Sequence, residues 1–432
     1  MTPLNRREFL GTTAAAAAMA ASTHVAFADE TGDKKSRPVR VAVMGVNGRG
    51  RQLIADFAGF PEIEFSYICE PDSNVVAPAI KAVTERGRPE PRVVKDFRAA
   101  LDDPELDVLI CAAPDHWHAL ATILACQAGK DVYCEKPISH NLVEGRKMVE
   151  AARKYRRVVQ AGMQRRSAEE YSDAIKQIRD GRLGKVHFVR TWINSTRPNI
   201  GHESPTAPPE TLDFDLWAGP GSADQYRKNL VHYHWHWRWD YGTGECGNNG
   251  IHALDIARWG LDVDGPRLVT CGGDKYSFDD DQETPDTQLA TFDFDGAAIQ
   301  WEHRTWSPRG IDGSDFGIVF YGTEGTLSLL DDGWTIYRDN KVVEQHKGTP
   351  RSEWMRNHVR NFLDCRETRE APAADVEIAH RSTSLCHLAN IAWRTRSTVR
   401  FDAKNETIVD NAPAAALLSR TYRQGYELPA SA

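Results

Sequence analysis

Three glycines in one short loop form the clearest chemical pattern in the sequence. The loop GVNGRG, from Gly45 to Gly50, follows an apolar run and precedes a helical pattern. Gly45 permits a tight turn, Gly48 lets the backbone approach a pyrophosphate at the helix N-terminus, and Gly50 lets helix and strand pack closely. The pattern predicts a dinucleotide site rather than an ordinary glycine-rich turn, with Asn47 and Arg49 as its polar side chains.

An acidic residue, Glu70, ends the next apolar run of the chain. Its carboxylate can accept hydrogen bonds from a ribose diol and would repel a 2′-phosphate, so it favours NAD over NADP. Asp72 lies two positions further on and is a second candidate for this role. NADP stays open if Arg49 or Arg51 reaches a 2′-phosphate.

The elements that must position these residues alternate between residues 39 and 161, as in a parallel sheet with crossover helices. We predict strands at Val39–Met44, Ile63–Cys69, Val93–Val94, Val108–Ala113, Lys130–Cys134 and Val158–Gly162. Ligands bind at the carboxyl ends of strands in such sheets, and Gly45, Glu70, Pro114 and Lys136 all fall there. A lysine is ordinarily solvated, but Lys136 follows a buried strand at the edge where a nicotinamide should lie.

A histidine-rich stretch forms the second informative region. His232, His234 and His236 alternate with Tyr233, Trp235 and Trp237. In a strand, the three histidines would share one face and the aromatic residues the other. That face could bind Zn²⁺, it could hydrogen-bond sugar hydroxyls while the tryptophans stack on sugar rings, or it could belong to a half-buried strand with satisfied side chains. Metal binding is the least favoured of the three, and we predict no metal.

The chain of 432 residues is long enough for two domains, and its net charge of -8 argues against general nucleic-acid binding. Eight cysteines without a paired framework indicate buried thiols. Residues 1–28 have paired arginines, an alanine-rich segment and an Ala-Phe-Ala site, which together predict a twin-arginine export signal and a periplasmic location. Residues 29–38 are predicted to be a linker, and the mature chain is predicted to have no membrane span.

The nucleotide loop, Ala113-Pro114 with His116-Trp117-His118, and Glu135-Lys136-Pro137 resemble the Gfo/Idh/MocA oxidoreductases. This family is named for glucose-fructose oxidoreductase and inositol dehydrogenase. The resemblance implies an α/β fold with a Rossmann domain, over residues 39–163, and a second α/β domain with a large, open, mostly antiparallel sheet, over residues 164–432. It also implies NAD or NADP, carbohydrate substrates and a homo-dimer or tetramer. On this basis Pro114, His116, His118, Glu135 and Lys136 are candidate cofactor-binding residues.

The same family implies a catalytic histidine within a D-x-x-x-H pattern in the second domain. His252 matches it, but the position four residues earlier is Asn248, which cannot act as a carboxylate base. We predict His252 and Lys136 as the catalytic pair, without deciding which takes the hydroxyl proton. The predicted substrate contacts are Tyr233, His234, Trp237, Asn248, Asn249 and Asp255, of which Asp255 has a mainly structural role.

Antiparallel strands are predicted between residues 267 and 343, and helices at Glu353–Arg366 and Glu377–Arg394. The tail past Asp402 is expected to wrap a neighbour or the first domain. The predicted function is NAD(P)-dependent oxidation of a secondary hydroxyl of a sugar, polyol or glycoside. Because an exported enzyme has no obvious NAD pool, the cofactor should be retained. The alternatives are a glycosidase or epimerase with transient oxidation and no net redox, and a non-catalytic sugar-binding protein that carries the cofactor.

Overall fold

The computed structural model describes residues 37–430, so the predicted export signal over residues 1–28 and most of the predicted linker lie outside the described residues. The first part of the chain forms a six-stranded sheet in the order β3-β2-β1-β4-β5-β6. Every neighbouring pair in it is parallel. Its strands are β1 (Val39–Met44), β2 (Ile63–Cys69), β3 (Arg92–Val94), β4 (Val108–Cys111), β5 (Asp131–Cys134) and β6 (Val159–Ala161).

The helices that follow these strands cover both faces of the sheet, which explains why its central strands are buried. All four residues of β4 are buried, and so are all four of β5. The strand order reverses between β1 and β4, and such a switch point opens a crevice at the carboxyl ends of the strands. The helices here are α1 (Arg49–Ala58), α2 (Val76–Thr84), α3 (Arg98–Leu101), α4 (Asp115–Gln127) and α5 (Leu142–Lys154).

A ten-stranded sheet dominates the rest of the chain, in the order β14-β13-β12-β11-β7-β10-β9-β8-β15-β16. It is antiparallel except between β7 and β10, which confirms the predicted mostly antiparallel sheet. Its strands are β7 (Val186–Ile193), β8 (Leu268–Asp274), β9 (Thr287–Asp293), β10 (Ala298–Arg304), β11 (Phe316–Gly322), β12 (Thr326–Leu330), β13 (Gly333–Arg338), β14 (Lys341–Lys347), β15 (Val399–Asp402) and β16 (Thr407–Val409).

Helices cover one face of this sheet, and the alternation along β9 shows which. Gln288, Ala290 and Phe292 are buried, whereas Leu289 and Thr291 lie exposed on the opposite face. The remaining helices are α6 (Glu169–Arg179), α7 (Phe214–Ala218), α8 (Ile251–Leu261), α9 (Arg351–Thr368), α10 (Val376–Thr395) and α11 (Ala412–Ala415). Among residues 37–430, no helix is both long enough and apolar enough to cross a bilayer.

Late segments of the chain return to the first sheet. Val359 and Phe362 of α9 join the apolar core formed by β1, β2 and β4. In the C-terminal tail, the Tyr422 hydroxyl donates to Glu144 Oε1 over 3.1 Å, and the Tyr426 ring packs edge-on against Trp117. The tail therefore wraps the first domain, which was one of the two predicted outcomes.

The strand considered for His232–Trp237 is wrong. Residues His234–Trp237 form a 3₁₀ turn, in which the Arg238 N–H donates to the Trp235 carbonyl over 3.1 Å. A turn of three residues separates side chains by about 120°. His234 and His236 therefore do not share a face, and the His-x-His-x-His face considered as the least favoured alternative for Zn²⁺ does not form.

Asp255 has the structural role that was predicted as its main one. Its carboxylate receives two hydrogen bonds of 2.8 Å from the Arg166 guanidinium and one of 2.6 Å from the Ser382 hydroxyl. The side chains of Asp255 and Arg166 are only 2% and 5% exposed. This buried ion pair joins α8 to the turn before α6 and to α10.

Substitution Asp255→Ala should lower the free energy of unfolding by about 3–5 kcal/mol, because it leaves a buried guanidinium without its counter-charge. Denaturant titration followed by circular dichroism would measure the loss. Asp293→Ala is the matched control, since Asp293 pairs with Arg267 at the surface and should cost less than about 1 kcal/mol. Equal losses in the two variants would contradict this account of Asp255.

Candidate active site

A cavity of about 380 Å³ lies at the carboxyl ends of the parallel strands. The nucleotide loop and Glu70 line one part of it, and Lys136 and Asn248 line another. The turn after Val231 contributes further walls through His232, Tyr233, Trp235 and His236. The crevice of the first sheet and the loops of the second part of the chain thus form one continuous site.

The glycines of the loop have the geometry that their spacing predicts. Gly45 has a φ of +77°, and a Cβ there would lie 2.7 Å from the backbone nitrogen of Ala113. A Cβ on Gly50 would lie 1.9 Å from the Gly45 carbonyl oxygen. Gly48 has a φ of +57° and directly precedes α1, and Asn47 beside it lines the cavity. The loop fits the pyrophosphate of a dinucleotide, because bare backbone and a helix N-terminus face the cavity.

Glu70 is buried at the end of β2 and holds this loop. Its Oε2 accepts the Val46 N–H over 2.9 Å, and its Oε1 accepts the Asp72 N–H over 3.1 Å. Burial raises the pKa of Glu70, which these two backbone donors partly offset. The carboxylate still borders the cavity, so its remaining acceptor positions are available to a ribose diol.

Arg49 lines the cavity and is engaged by Glu135, which follows β5. Its Nε donates to Glu135 Oε1 over 2.7 Å. Burial on its own would raise the pKa of Glu135, but the charges of Arg49 and Lys136 outweigh it and the pKa is lowered. Because its guanidinium pairs with an ionised carboxylate, Arg49 is not free to select a 2′-phosphate.

Lys136 follows β5 and reaches across the site to the second part of the chain. Its Nζ donates to the backbone carbonyl of Asn248 over 2.6 Å and to Asn248 Oδ1 over 3.2 Å. Asn248 belongs to a π turn, Cys246–Gly250, which precedes α8. Burial lowers the pKa of Lys136, against the opposing charges of Glu135 and Asp115. An ammonium group has three N–H donors, so one is left for a ligand oxygen.

A buried carboxylate behind Asn248 organises this wall. Glu245 receives hydrogen bonds from Arg197 Nη2 at 3.1 Å and from Asn249 Nδ2 at 2.5 Å. Arg197 Nη1 in turn donates to the Tyr233 hydroxyl over 2.8 Å. The family's carboxylate four residues before the histidine is absent, but a negative charge is present three residues before Asn248. Asn249 therefore supports Glu245 and does not line the cavity.

Asp115 is a cavity residue that sequence reasoning missed. It is the first residue of α4, and its Oδ2 accepts the Thr243 hydroxyl over 2.7 Å. Burial raises its pKa to about 7, despite the hydrogen bond from Thr243 and the charge of Lys136. In the sequence, an acidic residue after Pro114 is indistinguishable from a helix-capping group.

The two predicted histidines of α4 are only 1% exposed, and the nitrogens of both rings contact main-chain carbonyl oxygens. The ring nitrogens of His116 contact the carbonyls of Trp217 and Tyr241, and the ring does not line the cavity. Those of His118 lie 2.7 Å from the Pro137 carbonyl and 2.8 Å from the Ala113 carbonyl. His116 thus positions backbone, and His118 fixes the segments on which the cavity residues Pro114 and Lys136 lie.

One group of possible metal ligands exists among the described residues, formed by Cys111, His118 and Cys134, whose ligand atoms lie within 4.8 Å of one another. Both ring nitrogens of His118 face main-chain carbonyl oxygens, and in the neutral ring one of them donates its N–H to such an oxygen. A metal would have to break those contacts, so this group is better described as packed core.

Of the other predicted site residues, some line the cavity and some do not. Tyr233 and Asn248 line the cavity, whereas His234, Trp237 and His252 do not. His252 lies in the first turn of α8 with its Nδ1 unpartnered, and burial followed by the charge of Lys136 lowers its pKa well below the ordinary value. Lys136 is thus among the residues that line the cavity, whereas the catalytic role of His252 stays a prediction.

The sequence analysis considered His236 for sugar contact without selecting it, and it did not pair His232 with Asp72. His232 Nε2 lies 2.8 Å from Asp72 Oδ2 and joins the end of β2 to the turn after Val231. The histidine-rich composition pointed to this turn. Choosing among its members required the true backbone conformation, which the strand hypothesis did not supply.

Comparisons with known proteins agree with this fold. The family model described as "Oxidoreductase family, NAD-binding Rossmann fold" matches residues 39–163. The family's C-terminal alpha/beta domain matches residues 191–305 and 340–428. The chain belongs to the Gfo/Idh/MocA oxidoreductase family, and its first domain is of the NAD-binding type.

Individual relatives share only 16–30% sequence identity with this chain. A glycosyl hydrolase family 109 protein of Saccharopolyspora erythraea is 30% identical over 35% of this chain and 34% of its own length. The chain spans about half or less of the curated relatives that it matches. Among solved structures, a levoglucosan dehydrogenase in complex with NADH aligns at a TM-score of 0.66 with 16% identity, over 84% of this chain and 98% of that one. An aldose-aldose oxidoreductase of Caulobacter crescentus aligns at 0.64 with 19% identity, over 84% and 100%.

Asp115 makes a pH-dependent contribution to stability that can be tested. Because its folded pKa, about 7, lies above the ordinary 3.8, the folded protein holds a proton that the unfolded chain releases, and stability falls as pH rises between these values. Asp115→Asn removes this penalty. Its thermal midpoint relative to wild type should therefore rise between about pH 5 and about pH 8. Parallel pH curves would show that Asp115 does not titrate in this range.

Proposed function

We propose that the protein oxidises a secondary hydroxyl of a sugar, polyol or glycoside by hydride transfer to NAD. The observation that carries this proposal is the position of Lys136, whose ammonium group borders the same cavity as the glycine loop. A dinucleotide on that loop and a hydroxyl near Lys136 would meet at the end of β5. The family membership and the sugar-processing solved structures support the same substrate class.

Each residue has a definable part in such a reaction. When bound, NAD supplies a nicotinamide ring that accepts a hydride from carbon. Lys136 keeps one donor for the substrate oxygen and stabilises the charge that develops there. The carbonyl and the side-chain amide of Asn248 hold Lys136 in place, and Glu245 orients the amide. Asp115 borders the same space and, with a pKa of about 7, can hold or release a proton at neutral pH.

The contacts around the end of β2 support a retained cofactor. The Ser73 N–H donates to the Thr211 carbonyl over 3.0 Å, and the Asp213 N–H donates to the Pro71 carbonyl over 3.0 Å. With the pair between His232 and Asp72, these bonds fasten a strap, residues 211–232, beside Glu70. A nucleotide bound beneath the strap could leave only after some of these bonds break.

The substitution His232→Ala should speed the release of bound NAD about tenfold, because a hydrogen bond to a charged partner contributes about 1.5–3 kcal/mol. Exchange of bound nucleotide against labelled NAD would measure the rate. His187→Ala is the control, since the Nδ1 of His187 makes a 3.0 Å contact with the Gly296 carbonyl, and neither residue belongs to the strap. Equal release from both variants and the wild type would contradict the role of the strap.

Lys136→Ala should reduce turnover of a sugar substrate by about 10²–10⁴-fold while leaving nucleotide content unchanged. Turnover would be screened with aldoses, polyols and glycosides by the absorbance of reduced nicotinamide. The surface variant Lys81→Ala should match the wild type, since Lys81 is 71% exposed. Full turnover by the Lys136→Ala variant would contradict the proposed role of Lys136. A protein that only binds sugar would show no turnover in the wild type or in any variant.

A glycosidase or epimerase with no net redox is the second candidate. Asn248 stands where the family has an aspartate, and the relative from Saccharopolyspora erythraea is a glycosyl hydrolase family 109 protein. In this cycle the hydride would return to the substrate after the bond cleavage or inversion. Glycoside cleavage without accumulation of reduced nucleotide would favour it.

We also propose that the protein is exported and that it forms a homo-oligomer. The sequence of residues 1–28 supports export to the periplasm through the twin-arginine route, with a cofactor domain over residues 39–163 and a substrate domain over residues 164–432. The exposed face of the ten-stranded sheet carries Leu289 and Tyr321, which are 42% and 40% exposed. An apolar component on an otherwise uncovered sheet supports a homo-oligomer through this face.

A further inference from the structure

His236 has one ring nitrogen engaged and one free. Its Nδ1 lies 2.5 Å from the backbone carbonyl of Tyr233. Because a carbonyl only accepts, the hydrogen must be on Nδ1. In the neutral ring, Nε2 is then a bare lone pair, and it makes no hydrogen bond with any of residues 37–430. The residue lines the cavity together with Lys136 and Asn248.

Neighbouring groups fix the orientation of this ring. The Trp235 indole stacks on it with a centroid distance of 3.6 Å and an interplanar angle of 19°. The Tyr233 ring approaches to 4.7 Å. Gly242 passes so close that a Cβ there would lie 2.6 Å from the His236 Cα. The imidazole therefore has little freedom to rotate, and its tautomer and its direction are determined together.

The charges that face His236 keep it neutral. Burial, and then the charges of Lys136, Arg197 and His234, lower its pKa to about 3 against the opposing hydrogen bond to Tyr233. One of these cations, Arg197, is itself paired with Glu245, whose Oε1 lies 3.1 Å from Arg197 Nη2. In the usual working range of pH, Nε2 can accept a hydrogen bond but cannot donate one.

We infer that His236 Nε2 accepts a hydrogen bond from a second hydroxyl of the substrate. It can only accept, whereas Lys136 beside it can only donate. The inference rests on the proposed function and narrows its substrate class. Lys136 can serve any oxygen, whereas His236 requires an O–H that points towards it. The substrate is therefore a polyol or sugar with at least two free hydroxyls, and an ether or fluorine at the second position is rejected because Nε2 would lose its partner.

The test uses the mature protein with its nucleotide and the best sugar or polyol from the turnover screen. Each hydroxyl other than the oxidised one is replaced in turn by O-methyl, fluorine or hydrogen. In the wild type, we expect replacement at one position to reduce kcat/KM about tenfold or more. In His236→Phe, which keeps an aromatic ring but no acceptor, kcat/KM for the parent should fall and the loss at that position should disappear. His234→Phe is the control and should retain wild-type selectivity, because His234 does not line the cavity.

Failure of the proposed function and failure of the role of His236 give different results. If no sugar, polyol or glycoside is turned over, the proposed function fails and takes this inference with it. If a substrate is found but His236→Phe keeps the wild-type selectivity, only the inference is overturned. Should His236→Phe fail to fold, nitrogen-15 NMR of the wild type decides. The inference requires an unprotonated Nε2 from about pH 5 to about pH 9 that shifts when the substrate binds, and an Nε2–H tautomer or titration near the ordinary value of 6.5 would overturn it.

Discussion

The site depends on one constraint, which is that the half-buried ammonium group of Lys136 must find acceptors. The first domain delivers Lys136 at the end of β5, but the acceptors come from Asn248 in the second part of the chain. A lysine at this depth is costly without such partners. The π turn at Cys246–Gly250 presents both a carbonyl and an amide oxygen to it. The same contact therefore positions Lys136 in the site and links the two parts of the chain.

A second set of contacts completes the site at its other end. Glu70 fastens the nucleotide loop to the end of β2, and the strap reaches the same segment through His232 and Asp72. A cofactor would thus be enclosed by residues that are more than a hundred positions apart. Enclosure of this kind suits a protein whose cofactor is to be reduced and reoxidised in place. The hydrogen bond inferred at His236 Nε2 requires a second free hydroxyl on the substrate, and it does not change the cycle of the cofactor.

The sequence predicted the fold well because the fold follows from periodicity. The buried strands, the glycine spacing and the open sheet were all visible as local patterns, and the family motifs added the second domain. The site was predicted less completely. Lys136 was found because it follows a buried strand, whereas His252 was chosen by resemblance and its catalytic role stays a prediction. His236 was passed over because alternation suggested a strand where i→i+3 hydrogen bonds form a turn. Asp115 and the ion pair of Arg197 with Glu245 depend on long-range contacts, which no local pattern records.

The most direct test of the account is an absorbance measurement on the purified mature protein, made without added nucleotide. Sugars, polyols and glycosides would be added singly while the absorbance of reduced nicotinamide near ~340 nm is followed. The account predicts a stoichiometric nucleotide in the purified protein and a single-turnover rise in this absorbance with at least one sugar, reversed by a second carbonyl compound. A protein without nucleotide that reduces added NAD slowly or not at all would contradict the claim of a retained, working cofactor.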